Sequence, residues 1–161
     1  MDKNNKFNMA DTGGRRNEKP LTPELFENAK NYAILIGMPE ENIRYSERSL
    51  TSYLGGGIDV LTIGTDVLPI EGRTKNPNDN IGLKGAVAHE VIGHREADLK
   101  DRSISENEPL DEAQASIRAA RFAPDLSCSE RGDLIRDAIM RLKNAGISIR
   151  AVKNQLFINE R

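Results

Sequence analysis

The chain has 161 residues, 37% hydrophobic, 30% charged and 4% aromatic, with no tryptophan. That length suits one domain with a core of Leu, Ile, Val and Ala, and a second domain is not expected. A formal net charge of -2 gives no overall positive field to gather phosphates, so nucleic acid is not an expected partner. The single cysteine, Cys128, excludes an intrachain disulfide, and no window approaches the roughly 20 apolar residues of a membrane span, so no membrane partner is expected either.

Residues 1–20, MDKNNKFNMADTGGRRNEKP, place charges and amides where a signal peptide needs an apolar run of about 7 to 15 residues. They predict a flexible leader or linker ahead of a single domain over 21–161, with no signal peptide in this chain. Thr22 and Pro23 form a helix start, Leu25, Phe26, Ala29, Tyr32, Ala33 and Ile36 recur at helical spacing, and Gly37 supplies the stop. Ile43 and Tyr45 alternate with polar neighbours, and Ile58 to Ile63 is a β-branched run, so both stretches predict strands. Asp66 to Lys84, rich in Pro, Asn and Gly, predicts a long loop.

From Ile81 through Ile92 the apolar residues cover most sides of a helix, which must therefore be buried. Pro109 opens a third helix through Leu110, Ala113, Ile117 and Ala120, ended by Pro124, and Ser127 with Glu130 forms a capping box for a fourth that stops at Gly146. The tail from Ile147 to Arg161 is ambiguous, its triplet Leu156-Phe157-Ile158 fitting either a short strand or a helix end.

The two histidines of the chain, His89 and His94, both fall on the buried helix, with Glu90 directly after the first. Two imidazoles on one helix can hold zinc while the intervening glutamate reaches the water on the open coordination site. The spacing here is His-Glu-x-x-x-His. On an ideal helix the fifth residue lies about 140° round from the first, against about 40° for the fourth, so the helix must absorb one extra residue. A π-bulge does this, and Gly93 is placed to tolerate a distorted backbone.

A hydrolytic zinc site needs a third protein ligand. Glu96 and Asp98 are too near in sequence to fold back onto the same ion unless the helix breaks. Glu112 opens the third helix and shares a face with Ala115, Ser116 and Ala119, small residues that permit a close helix crossing, so Glu112 is the expected ligand with Asp111 as the alternative. Asp111, Glu96 and Asp98 are available to orient the imidazoles. Tyr53, beside Gly55-Gly56-Gly57, is the candidate donor to a developing oxyanion, although a tyrosine beside a turn has structural uses as well.

His89-Glu90-Val91-Ile92-Gly93-His94 resembles the HELLGH motif of the dipeptidyl-peptidase III family of zinc peptidases, and Asp111-Glu112-Ala113-Gln114-Ala115 is similar to that family's EExRA motif, whose second acid is the third zinc ligand. This chain is far smaller and the gap between its motifs shorter, so dipeptide release does not carry over. More widely, the stretch from Ile58 to Pro69, the segment GHREA and Asp111 to Ser116 resemble the metallopeptidase-type C-terminal domains of bacterial polymorphic toxins. That resemblance implies an effector released from a longer secreted protein, active in the target cell and matched by an immunity protein; without it the chain reads as cytoplasmic.

The expected fold is α+β: a small gluzincin-like domain with a short, mostly antiparallel sheet packed on the buried zinc helix and a second ligand-bearing helix. The expected activity is zinc-dependent hydrolysis of a protein or peptide, with Glu90 as general base. The rival readings are a non-catalytic, zinc-stabilised binding or immunity module and a metal hydrolase of a non-peptide substrate.

Overall fold

A computed structural model describes residues 16–161 and places an α+β arrangement around a three-stranded sheet. The Thr22 side chain accepts a hydrogen bond from the Leu25 backbone N–H, and helix α1 (Pro23–Leu35) buries Ala29, Tyr32 and Ala33 before Gly37 turns the chain at φ 115°. Strands β1 (Ile43–Tyr45), β2 (Ser52–Leu54) and β3 (Val60–Ile63) follow, in the order β1-β3-β2.

The sheet is mixed, which corrects the expectation of a mostly antiparallel one: β1 runs parallel to β3, with Tyr45 opposite Ile63, and β2 antiparallel, with Tyr53 opposite Leu61. Leu61 and Ile63 are fully buried while Val60 and Thr62 are only partly covered, so one face of β3 builds the core. The β3 strand begins at Val60, later than the run from Ile58 suggests. Asp59 sits at φ 56° and Ile58 is 59% exposed, so the tight turn through Gly56 and Gly57 extends past both residues.

The segment read as a long loop carries a 3-10 turn, Thr65–Val67, and a short helix α2 (Pro77–Asn80), whose start is fixed by the Asn76 side chain accepting from the Asn78 N–H. Helix α3 (Leu83–Ala88) then runs without a break into a π-helical segment (His89–Arg95) and on into α4 (Glu96–Leu99). Val87, Ala88, Val91 and Ile92 are fully buried, so this continuous rod is the inner element of the fold. Helices α5 (Glu108–Phe122) and α6 (Cys128–Asn144) pack on it and on each other, with the Ser127–Glu130 capping box formed.

The tail is neither the strand nor the helix end considered above for Leu156 to Ile158. After a short helix α7 (Ile149–Val152), Leu156 and Ile158 turn inward and Phe157, at φ 50°, turns outward. Gln114 donates to the Leu156 carbonyl, Arg118 to those of Phe157 and Glu160, and Arg121 to that of Ile158. One face of α5 thus clasps the tail, and the other is left for the centre described below. Among the described residues no helix is long and apolar enough to cross a membrane.

Residues 1–15 of the polar leader lie outside the described residues, but its end is built into the fold. The Arg16 guanidinium donates to the backbone carbonyls of Asp66, Val67, Asn78 and Ile81, and the Asn17 N–H to that of Leu68. Burial lowers the Arg16 pKa to about 10 against the opposing charges of Asp66, Asp137 and Asp79. The fold therefore starts by Arg16, ahead of Leu21. Replacing Arg16 with Ala takes a donor from four carbonyls, of which, among the described residues, only that of Asn78 keeps another, from the Ile81 N–H, and should cost about 2 kcal/mol or more, read as a lowered denaturant midpoint at unchanged slope.

Gly93 also acquires a specific role. A Cβ there would lie 2.5 Å from the Ala115 carbonyl oxygen and 2.6 Å from its Cα, so the glycine lets the π segment touch α5 backbone to backbone. Its φ is not positive, so this close approach, rather than a left-handed backbone, is what requires a glycine there. Gly93→Ala should destabilise the protein by about 1 to 3 kcal/mol through overpacking, and should weaken metal uptake in a titration because α5 is pushed away from the histidines.

Candidate metal centre

The π segment brings the two histidines together. Their rings meet edge to face with centroids 4.8 Å apart, as the five-residue spacing requires once the helix is widened by one residue per turn. Both Nε2 atoms point at one carboxylate: His89 Nε2 lies 2.9 Å from Glu112 Oε2, and His94 Nε2 lies 3.3 Å from Glu112 Oε1. One ligand atom from each of His89, His94 and Glu112 falls within 4.8 Å of the others. Asp111, the alternative ligand, stands beside the group with Oδ2 at 3.5 Å from His94 Nδ1.

The proton positions follow from the partners. Ser116 Oγ donates to Asp137 Oδ2 at 2.7 Å, so its hydroxyl proton is engaged and it can only accept from His89 Nδ1, 2.9 Å away. His89 therefore carries its proton on Nδ1 and turns the Nε2 lone pair toward Glu112. Two acceptor atoms at 2.9 Å repel unless a cation sits with them, either a second proton on the ring or a metal ion. Tetrahedral zinc with bonds of about 2.0 to 2.1 Å sets neighbouring ligand atoms about 3.3 Å apart, close to the two carboxylate contacts, and a two-nitrogen, one-carboxylate donor set could hold such a divalent ion.

The charges agree with this geometry. Burial alone would raise the Glu112 pKa, but the imidazoles of His89 and His94 beside it hold it well below the usual carboxylate range. Burial opposes protonation of His94, yet Glu112, Glu90 and Asp111 together lift it to about 9. Glu90 is pushed up by burial, with the imidazoles of His94 and His89 opposing. Its Oε2 accepts a hydrogen bond from the Tyr53 backbone N–H at 2.9 Å, and Oε1 has no hydrogen-bond partner among the described residues.

Tyr53 thus reaches the centre through its main chain. Its hydroxyl donates to Asp59 Oδ1 at 2.8 Å, and Arg95 Nε donates to the same oxygen at 2.8 Å. Burial, and then this bond to Asp59, raise the phenol pKa. The triple glycine forms the turn between β2 and β3, with Asp98 Oδ2 accepting from the Gly56 N–H. Of the acids considered for orienting the histidines, Glu96 pairs with Arg161 and Asp98 with this turn, leaving Asp111 beside His94.

The relay from Ser116 to Asp137 is absent from the sequence reading, in which Ser116 counted only as a small residue. The available signal was its position one turn beyond Glu112 on the same face. Asp137 is buried and is held in turn by Arg141 Nε at 2.9 Å. Arg141 in turn lines, with His89, Glu90, His94, Asp111 and Glu112, a cleft of about 940 Å³.

Glu112→Ala should abolish stoichiometric zinc binding in a competition titration. Ser116→Ala and Asp137→Asn should each keep one zinc but bind it about 10- to 100-fold more weakly, the usual effect of loosening a ligand's orienting partner. Comparison of the chain with family models, curated proteins and solved structures gives no match, so its function is argued from this centre.

Proposed function

We propose that the chain is a zinc-dependent peptidase of gluzincin type, holding the ion with His89, His94 and Glu112. The observation that carries this reading is the convergence of both imidazole Nε2 atoms on the Glu112 carboxylate, with Glu90 beside them in an open cleft. Three protein ligands leave a coordination position for water or substrate, whereas a purely structural zinc site is closed by four. That favours catalysis over a zinc-stabilised binding module.

A divalent ion held there supplies Lewis acidity, acidifying water and polarising a carbonyl oxygen. Glu90, with Oε2 anchored by the Tyr53 N–H and Oε1 free, accepts the proton of the attacking water and passes it to the amine that leaves as the C–N bond breaks. His89 is held in the ligating tautomer by Ser116 and Asp137.

The cleft also supports a peptide over other hydrolysable substrates. Strand β2 is an edge of the sheet, and its Tyr53 N–H points at Glu90, so the Tyr53 carbonyl faces the cleft too. An extended chain laid along that edge can donate a main-chain N–H to the Tyr53 carbonyl beside the general base. The resemblance to metallopeptidase-type toxin domains extends the proposal to an effector carried by a longer secreted protein and neutralised by an immunity protein.

The deciding experiment compares wild type with Glu90→Gln for zinc content and for cleavage of a cell proteome. The variant should keep one zinc per chain and lose at least about two orders of magnitude in rate, as removal of a general base does. Equal cleavage by both proteins would exclude Glu90 from the chemistry. Cleavage by neither, at full zinc occupancy, would turn the search to non-peptide substrates.

A further inference from the structure

The cleft is electrically uneven along its length. Helix α5 runs beside the π segment with Asp111 at His94 and Ser116 at His89, so the two histidines have different surroundings. Asp111 stands beside His94, and Asp98, one turn on from His94, and Glu108, one turn before Glu112, also line the cleft. On the His89 side, behind Ser116 and Asp137, stands Arg141 of α6. Arg16 lines the cleft as well, but its guanidinium is engaged with four backbone carbonyls, and Asp66 is engaged with the N–H and hydroxyl of Thr51.

Arg141 is built into the wall. Its side chain is 13% exposed, and its Nε–H is the one donor with a partner among the described residues, bonded to Asp137. The terminal nitrogens are not among the sealed, unpartnered polar atoms of the interior, and Arg141 is one of the residues that line the cleft. A guanidinium fixed through Nε and presenting both terminal nitrogens is a rigid fork that matches the two oxygens of a carboxylate. Burial works against its charge, but Asp137, Glu112 and Glu90 hold it protonated.

We infer that Arg141 is a specificity residue, binding a carboxylate of the substrate on the His89 side of the scissile bond. This rests on the zinc-peptidase reading above and narrows its substrate to peptides that are acidic there. The carboxylate could be a chain terminus or the side chain of an Asp or Glu; the recognition chemistry is shared, and the two are separated below. The acidic opposite end suits the uncharged or basic part of the same peptide.

Binding of thiol ligands to the zinc-loaded protein tests this without turnover, because a thiolate anchors each ligand to the metal. Mercaptoacetyl-glycine is compared with its C-terminal amide, and mercaptoacetyl-glutamic acid α-amide with the corresponding glutamine amide. Wild type should bind at least one acid about tenfold or more tightly than its neutral partner, as a paired, charge-assisted contact implies. The pair that discriminates identifies a terminal or a side-chain carboxylate.

In Arg141→Met the acid-to-amide ratio should fall to about one, whatever happens to the affinity for both. Since Met leaves Asp137 without its cation, the same ratio is measured in Asp137→Asn/Arg141→Met; a loss of fold or of metal lowers both members of a pair together and leaves the ratio unmoved. Equal binding of acid and amide by wild type would overturn the inference, and so would a preference that survives in both variants. A wild type that takes up no zinc would remove the reading beneath it, and metal analysis shows this before any thiol is added.

Discussion

The approach of the π segment to α5 at Gly93 and Ala115 governs the rest of the structure. With no side chain between the two backbones, the helices are close enough for Glu112 to reach both histidines and for Ser116 to reach the far side of His89. The extra residue in the widened turn has a matching consequence: it swings His94 onto the face of His89. Either condition alone leaves the donor set incomplete, since a regular helix would separate the imidazoles and a bulkier residue at position 93 would withdraw the carboxylate.

The acids and bases around this contact form layers rather than a random cluster. Glu112 faces both imidazoles, Ser116 stands behind one of them, Asp137 stands behind Ser116, and Arg141 closes the sequence. Each buried polar group is answered by a group of opposite character, the condition under which such groups can be buried at all. Asp59, Tyr53 and Arg95 repeat the pattern on the sheet side and join the end of the π segment to the turn before β3.

Much of the site was legible in the sequence because its geometry is local. The five-residue spacing of His89 and His94 and the capped start of α5 before Glu112 depend on helical angles alone. The Ser116–Asp137 relay joins two helices through a serine that, by composition, looks like a packing residue. Strand β2 was missed because Ser52 and Leu54 are both exposed, so no alternation of apolar and polar residues marks it. The direction of β1 against β3 depends on how the chain crosses over, which short strands do not encode. Arg16 was hidden in a polar stretch, its role resting on carbonyls of a segment some 50 to 65 residues away.

The clasp on the tail couples distant parts of the chain in folding. Helix α5 uses Gln114, Arg118 and Arg121 to hold the carbonyls of 156–160 while Glu112 and Ser116, on the same helix, serve the centre. Donors from positions 89, 94 and 112, with support from 53, 116 and 137, meet only when contacts of long sequence separation have closed, which are the slow ones to form. A chain still being made, or threaded through a narrow passage in extended form, has no assembled centre. Any opening that peels the tail from α5 also loosens the helix that carries Glu112, so the convergence of His89, His94 and Glu112 is confined to the completed fold.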